Sequence, residues 1–290
     1  MFFRKFEGNP ILGSAELGTC FDVYVQKLGG RYRMDFSWRT HECLAVTFSD
    51  DGIHWEEPQV TLRPEPDTGW QERLNRNCVL FHDGIYKMWY TGQARGHSFI
   101  GYAESTDGIR FENRSPEPVL ISEFPFEGES VMNPCVLIEN GVYRMWYSAG
   151  ETFEPNVMCY AESADGITWK KFRINPVMVH GSKVYERNRI GGCQVMKTED
   201  MGYVMFYIGY TDIHTACICA ARSENGITGW KRSEKNPMVF PTEGSWDADS
   251  CYKPSFLWRE DENRWYVYYN GRLGHCEYIG CAFSDGRELF

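Results

Sequence analysis

Apolar and polar residues alternate along this chain in short runs such as Ile100-Gly-Tyr-Ala-Glu-Ser105 and Met158-Cys-Tyr-Ala-Glu-Ser163, the period-two pattern of half-buried strands. Each of these runs leads into a Ser-x-Asp/Asn-Gly signal. It recurs at Asp51-Gly52, Asp107-Gly108, Asp165-Gly166, Asn225-Gly226 and, one residue shorter, Asp285-Gly286, at intervals of 56, 58, 60 and 60. Asp-Gly or Asn-Gly between alternating runs predicts a tight type I′ hairpin with positive φ at both central residues. An aromatic residue, Trp55, Phe111, Trp169 or Trp230, then opens a further strand.

A second half-repeat precedes each of these pairs. Val79 to Tyr90, Val136 to Tyr147, Val195 to Tyr207 and Phe256 to Tyr269 each hold a turn followed by an aromatic-rich strand. Four strands in about 58 residues predict a propeller blade. The expected fold is all-β: one five-bladed β-propeller domain spanning 1–290, with four-stranded blades. Asn175-Pro-Val-Met178 and Asn236-Pro-Met-Val239 end outer strands, and the same phrase, Asn9-Pro-Ile-Leu12, stands near the start of the chain. Residues 1 to about 12 are therefore expected to supply the outermost strand of the last blade and leave no open sheet edge.

Composition narrows the function. A formal charge of −10 gives no general basic surface, so nucleic acid and anionic membrane are not expected as partners. No signal peptide or membrane-spanning run is legible, which makes the cytoplasm the expected location. Eleven cysteines without a C-x-x-C pair read as buried reduced thiols, and Cys217-Ile-Cys219 alone makes a poor zinc site.

In a propeller, the loops entering the inner strands and those joining second to third strands open on one rim. Aligning the inner strands places Asp22, Arg76, Asn133, Gly192 and Lys253 at one equivalent position, with Asp22 the only acid among them. The entering loops add Glu72, Glu127, Glu129, Glu186, Asp247 and Asp249. Glycoside cleavage needs such carboxyls in pairs, ~5 Å apart for retention and ~6.5–9.5 Å for inversion. His41, His97, His214 and His275 occupy one place in the repeat, eight or nine residues before Ser49, Ser105, Ser223 and Ser284. Arg39, Arg95 and Arg272 accompany three of them, and Arg73, Arg76, Arg187 and Arg189 lie in the entering loops. Arginine forks suit carboxylate or phosphate. The expected ligand is an oligosaccharide, an acidic sugar, a sugar phosphate or phosphate itself, although these arginines could instead pair with the funnel acids. No cofactor is required, and a divalent metal on the histidines is a lesser alternative.

Through Tyr-Ala-Glu-Ser-x-Asp-Gly-Ile, Asn133-Pro-Cys-Val-Leu137 and Trp246-Asp247 before Lys253-Pro-Ser255, the chain resembles the five-bladed propeller glycosidases of families 43, 32 and 117 and the related mannoside phosphorylases of family 130. The resemblance implies Asp22 as base or nucleophile, Asn133 at the middle position where the hydrolases have Asp, and Glu186 or Glu129 as acid. Family 117, in which a histidine takes the acid role, offers the histidine ring as a substitute. The turns are also similar to sialidase Asp-boxes, but sialidases have six blades. The leading expectation is a glycosidase of a small, anionic glycan. A phosphate-dependent phosphorylase, a non-catalytic sugar-binding propeller and a metal-dependent lactonase remain as alternatives.

Overall fold

The computed structural model describes residues 3–151, 155–284 and 286–290, and their strands form five antiparallel sheets. From the axis outward, blade 1 comprises Cys20–Leu28, Arg31–Trp38, Cys43–Ser49 and Gln59–Leu62. Blade 2 comprises Arg73–His82, Ile85–Ala94, His97–Ser105 and Glu112–Asn113. Blade 3 comprises Ser130–Glu139, Val142–Gly150, Pro155–Ser163 and Lys170–Lys171, with Met178–Val179 added on the same edge. Blade 4 comprises Arg189–Thr198, Gly202–Tyr210, Ala216–Ser223 and Lys231–Arg232.

Blade 5 joins Ser250–Arg259, Arg264–Leu273 and Cys276–Phe283 to Arg4–Lys5 from the other end of the chain, with Arg4 opposite Phe283 and Lys5 opposite Ala282. This is the expected five-bladed β-propeller with the expected closure. Met1 and Phe2 of the predicted closing strand, and Asp285 of the fifth turn, lie outside the described residues. The repeated Asn-Pro phrase acts as a strand surrogate. Asn9, Asn175 and Asn236 each use Oδ1 to accept from, and Nδ2 to donate to, the backbone of one third-strand residue, namely Cys281, Tyr160 and Ala220. An asparagine carboxamide carries the same donor and acceptor as a peptide group, so it extends the ladder where proline cannot.

The Asp-Gly connections differ from the expected hairpins. Only the glycines, Gly52, Gly108, Gly166 and Gly226, have positive φ. The preceding side chain instead organises a wider loop: Asp51 Oδ1 accepts from the amides of Ile53 and His54, and Ser49 Oγ accepts from that of Gly52. Local side-chain to backbone bonding of this kind competes with the two-residue turn and wins here. The loops then staple neighbouring blades. Trp89 and Trp146 are fully buried, and their indole N–H groups donate to the carbonyls of Gly166 and Gly226 in the next blade, each at 2.7 Å.

Candidate active site

Every inner strand shifts register at one place, between Phe21 and Tyr24, Asn75 and Asn77, Met132 and Cys135, Gly191 and Gln194, and Tyr252 and Ser255. The residues caught in these bulges include Asp22, Arg76, Asn133, Gly192 and Lys253, the five positions that the repeat aligns. A bulge re-aims a side chain that a regular strand would turn into the sheet. Asp22, Asn133 and Lys253 adopt left-handed φ of 62°, 56° and 52°, a conformation that costs an L-residue on the order of 1 kcal/mol or more. The second strand of the preceding blade secures the ring. Asn270 Oδ1 accepts from Asp22 N at 3.0 Å, Thr91 Oγ1 from Asn133 N at 2.9 Å, and Ser148 Oγ from Gly192 N at 2.7 Å.

Above this ring lies an open cavity of about 160 Å³, walled by Arg39, Asn75, Thr91, Gln93, Asn133, Tyr210, Ile213, Ala216, Tyr252, Lys253, Arg272 and Glu277, among others. Of the expected residues, Arg39, Asn133, Lys253 and Arg272 line it. Asp22 lies beneath, fully buried. Its Oδ1 is 2.6 Å from Lys253 Nζ, and its Oδ2 accepts from Ser37 Oγ at 2.9 Å and Arg76 N at 3.0 Å. Burial alone would lift this carboxyl, but the charge and hydrogen bond of Lys253, helped by Arg76, hold it below the usual carboxylate range. It is an anion that cannot serve as a proton donor.

Both arginines are held by one end. Arg39 Nη2 donates to Asn75 Oδ1 at 3.1 Å, Asn75 Nδ2 to Gln93 Oε1 at 2.5 Å, and Gln93 Nε2 to Ser98 Oγ at 3.0 Å. Arg272 Nη2 donates to His214 O at 2.6 Å and to Ser250 Oγ at 3.4 Å. Among the described residues neither makes an ion pair, so the expected alternative of internal Arg-carboxylate pairing is not seen for these two. A guanidinium fixed through one nitrogen keeps the rest of its fork for a ligand oxyanion.

Sequence reasoning missed Glu277, the one carboxyl in the cavity wall among the described residues. Burial pushes its acid up, the Tyr252 hydroxyl draws it down, and the charge of Asp22 pushes it up again, for a net rise. Its Oε2 is buried without a hydrogen-bond partner. A carboxyl that burial raises above its ordinary range, with an unsatisfied oxygen beside a polar cavity, is suited to general acid catalysis. The available signal was a lone acid at the start of a third strand, where it pairs in register with Arg272.

Several expected site residues are structural instead. Glu186 is fully buried, with Oε1 2.5 Å from Arg232 Nε and Oε2 accepting from Tyr207 OH at 2.8 Å. Glu127 and Asp247 repeat the device with Tyr147 and Lys171, and with Tyr269 and Lys5. Each pins an entering loop between the second and outermost strands of its own blade. Arg76 is buried on the axis, with Nη2 donating to Cys193 O at 3.0 Å and Pro254 O at 3.1 Å, so it holds blades 4 and 5 rather than a ligand. Glu129 is exposed and outside the cavity wall, as are Glu72, Arg95 and Arg187.

Arg189 pairs with Glu151 at 3.7 Å, while Arg73 faces a narrow cleft beside Arg39. The four histidines do not converge. His41 packs on Trp38, His97 meets Glu129 O, and His214 borders a shallow depression with Asp249 and Arg272; His275 is exposed and lines neither. Among the described residues, no three His, Cys, Asp or Glu side chains are placed to hold a metal ion.

A closed ring of five four-stranded blades around one cationic axial cavity defines the class of this protein. Residues 31–174 match the family profile described as the glycosyl hydrolases family 32 N-terminal domain. An uncharacterized protein of Mycobacterium tuberculosis (strain ATCC 25618 / H37Rv) is 31% identical over 163 residues, 53% of this chain and 51% of its own. A β-1,2-mannobiose phosphorylase of Thermoanaerobacter sp. (strain X514) is 29% identical over 132 residues, 39% of this chain and 43% of its own. The chain thus spans about half the length of the curated relatives it matches.

Among solved structures, a thermostable family-43 glycoside hydrolase superposes with a TM-score of 0.76 at 19% identity, covering 96% of this chain and 94% of that one. A structure from the family 130 of mannoside phosphorylases, reported to contain hydrolases that target β-1,2 mannosidic linkages in Candida mannan, gives a TM-score of 0.72. Its identity is 14%, with 96% of this chain and 93% of that one covered. The chain is thus similar over residues 31–174 to the family 32 N-terminal domain, and it shares its five-bladed propeller fold with the family 43 and family 130 structures.

Proposed function

We propose that this protein cleaves a glycosidic bond in the axial cavity by phosphorolysis, with Glu277 as proton donor and Arg39, Lys253 and Arg272 holding the attacking phosphate. One observation carries the reading: a single carboxyl lines a cavity walled by three cations. Hydrolysis requires two carboxyls at the scissile bond, one to protonate and one to attack or to activate water. Phosphorolysis requires only the acid, because the nucleophile is an anion delivered from solution and fixed by cations. A phosphate oxygen bonds to the anomeric carbon as the bond to the leaving oxygen breaks. The Glu277 proton passes to that oxygen, and solvent reprotonates the carboxylate. The products are a sugar 1-phosphate and a shortened glycan. The stretch of similarity to a β-1,2-mannobiose phosphorylase supports this reading.

The test is product analysis on a panel of manno- and gluco-oligosaccharides, with and without inorganic phosphate. Sugar 1-phosphate formed only when phosphate is present supports the proposal; equal cleavage in phosphate-free buffer overturns it. A second reading, hydrolysis of an anionic glycan with Asp22 as base or nucleophile, is favoured by the match to the family 32 profile and by the place of Asp22 on the first inner strand. It requires Lys253 to leave Asp22, and it predicts that Asp22→Asn abolishes turnover in a folded protein.

A further inference from the structure

The cavity wall is divided by blade. Its charged and amide groups come from blades 1, 2, 3 and 5: Arg39, Asn75, Gln93, Asn133, Lys253, Arg272 and Glu277. Blade 4 contributes Tyr210, Ile213 and Ala216. The same contrast runs through the ring below. The second strands present Ser37, Thr91, Ser148 and Asn270 at the position that faces the bulge of the next blade, whereas blade 4 has Ile208 there. Its own bulge residue is Gly192, and a Cβ at that position would come within 2.7 Å of Ile208 Cδ1. Ile208, Tyr210 and Ala216 form one buried apolar cluster, with Tyr252 packed against it.

On the reading of this cavity as a sugar site, we infer that blade 4 forms a subsite for a methyl-bearing substituent of the glycosyl unit, either a 6-deoxy carbon or an N-acetyl group. A hydroxyl directed at Ile213 and Ala216 would lose water against side chains with no polar atom. Ser250 Oγ beside them is already engaged by Ala216 N and His214 O, which leaves the Tyr210 and Tyr252 phenols, so the hydroxyl is penalised. A methyl group there exchanges water for Ile213 and Ala216.

The test is calorimetric binding with the full chain in the gluco and manno series. The probes are the hexose, 6-deoxyhexose and N-acetylhexosamine, each as the 1-phosphate and as the neutral methyl glycoside. The expected result is that a methyl-bearing member binds about tenfold tighter than its parent hexose, the discrimination that an apolar pocket gives one small group. The 6-deoxy and N-acetyl arms separate the two sources of the methyl. Ile213 is half-exposed, so Ile213→Ser folds; it should remove that preference, bringing the methyl-bearing sugar down to the affinity of its parent hexose in the same variant. Equal binding of all three sugars, as expected if the wall takes only the C–H face of a plain ring, overturns the inference. So does a preference that survives Ile213→Ser, or an absence of binding by every probe. A methyl preference confined to the neutral glycosides, without gain from the phosphate, would instead retain the subsite and remove the phosphate reading.

Discussion

Lys253 reaches from the fifth blade to the first and sets its Nζ 2.6 Å from Asp22 Oδ1, with Asn133 Oδ1 accepting from the same nitrogen at 3.2 Å. One ammonium therefore ties together three blades of the axial ring. Lys253→Met leaves a fully buried carboxylate without its cation, and a loss of about 3–5 kcal/mol is expected. The pH dependence checks the cause. In the native protein Asp22 is held below its ordinary range. Its stabilisation is therefore present above the unfolded value of about 3.9 and disappears as the pH falls through the lower folded one. In Lys253→Met, burial raises the carboxyl instead, so urea unfolding should show a deficit that is largest at pH 7 and shrinks at pH 4.

Glu277→Gln should lower kcat by about 10²–10⁴, the range of a lost general acid, and leave phosphate binding intact. The raised acid of Glu277 predicts a rate that falls as pH rises through it, and the variant's residual rate should lack that limb. Stability follows the same sign. A raised carboxyl contributes fully below its unfolded value and loses that contribution as pH rises through the folded value, so Glu277→Gln should be relatively more stable than the native chain above neutrality.

Arg39→Ala and Arg272→Ala should each weaken phosphate about 10- to 100-fold, because each removes a charge-assisted fork from a partly desolvated anion. Thermal shift with increasing phosphate reads this directly, since a ligand selective for the native state raises its stability by mass action. An undiminished shift in the double variant would remove these arginines from the phosphate site.

Glu186→Gln should cost about 3–5 kcal/mol in urea unfolding by leaving Arg232 and Tyr207 without their anion, while kcat in the folded fraction stays within twofold. A selective collapse of kcat would restore Glu186 as the acid.

Ten of the eleven cysteines are buried and only Cys276 is exposed, with burial pushing thiols such as Cys20 up to about 12. An aromatic disulfide reagent should label one thiol per native chain quickly and the rest only on unfolding.

The blades, their closure and Asp22 were legible because each is written into a repeat: the Asp-Gly signals, the Asn-Pro phrases and the aligned inner strands. A repeat fixes where a residue falls along a blade, but not where its side chain points. His41 and His275 share a repeat position yet turn outward at loop tips, and Glu186 folds back onto Tyr207. Arg76 was placed correctly on the axis, but its length carries the guanidinium past the ligand side to carbonyls across the ring. Glu277 was missed because its role depends on crossing a hairpin to stand near Lys253 and Arg272, and no period in the sequence encodes that.

Lys5 and Asp247 meet at 2.5 Å, although 242 positions separate them in the sequence. A fold sealed by so distant a contact becomes complete only when its last blade is available. During synthesis, the segment around Lys5 must wait through the assembly of four blades. Until then Arg4 and Lys5 have no sheet to join, and the axial ring lacks Lys253, so the ligand cavity and the closure of the chain arise in the same late event.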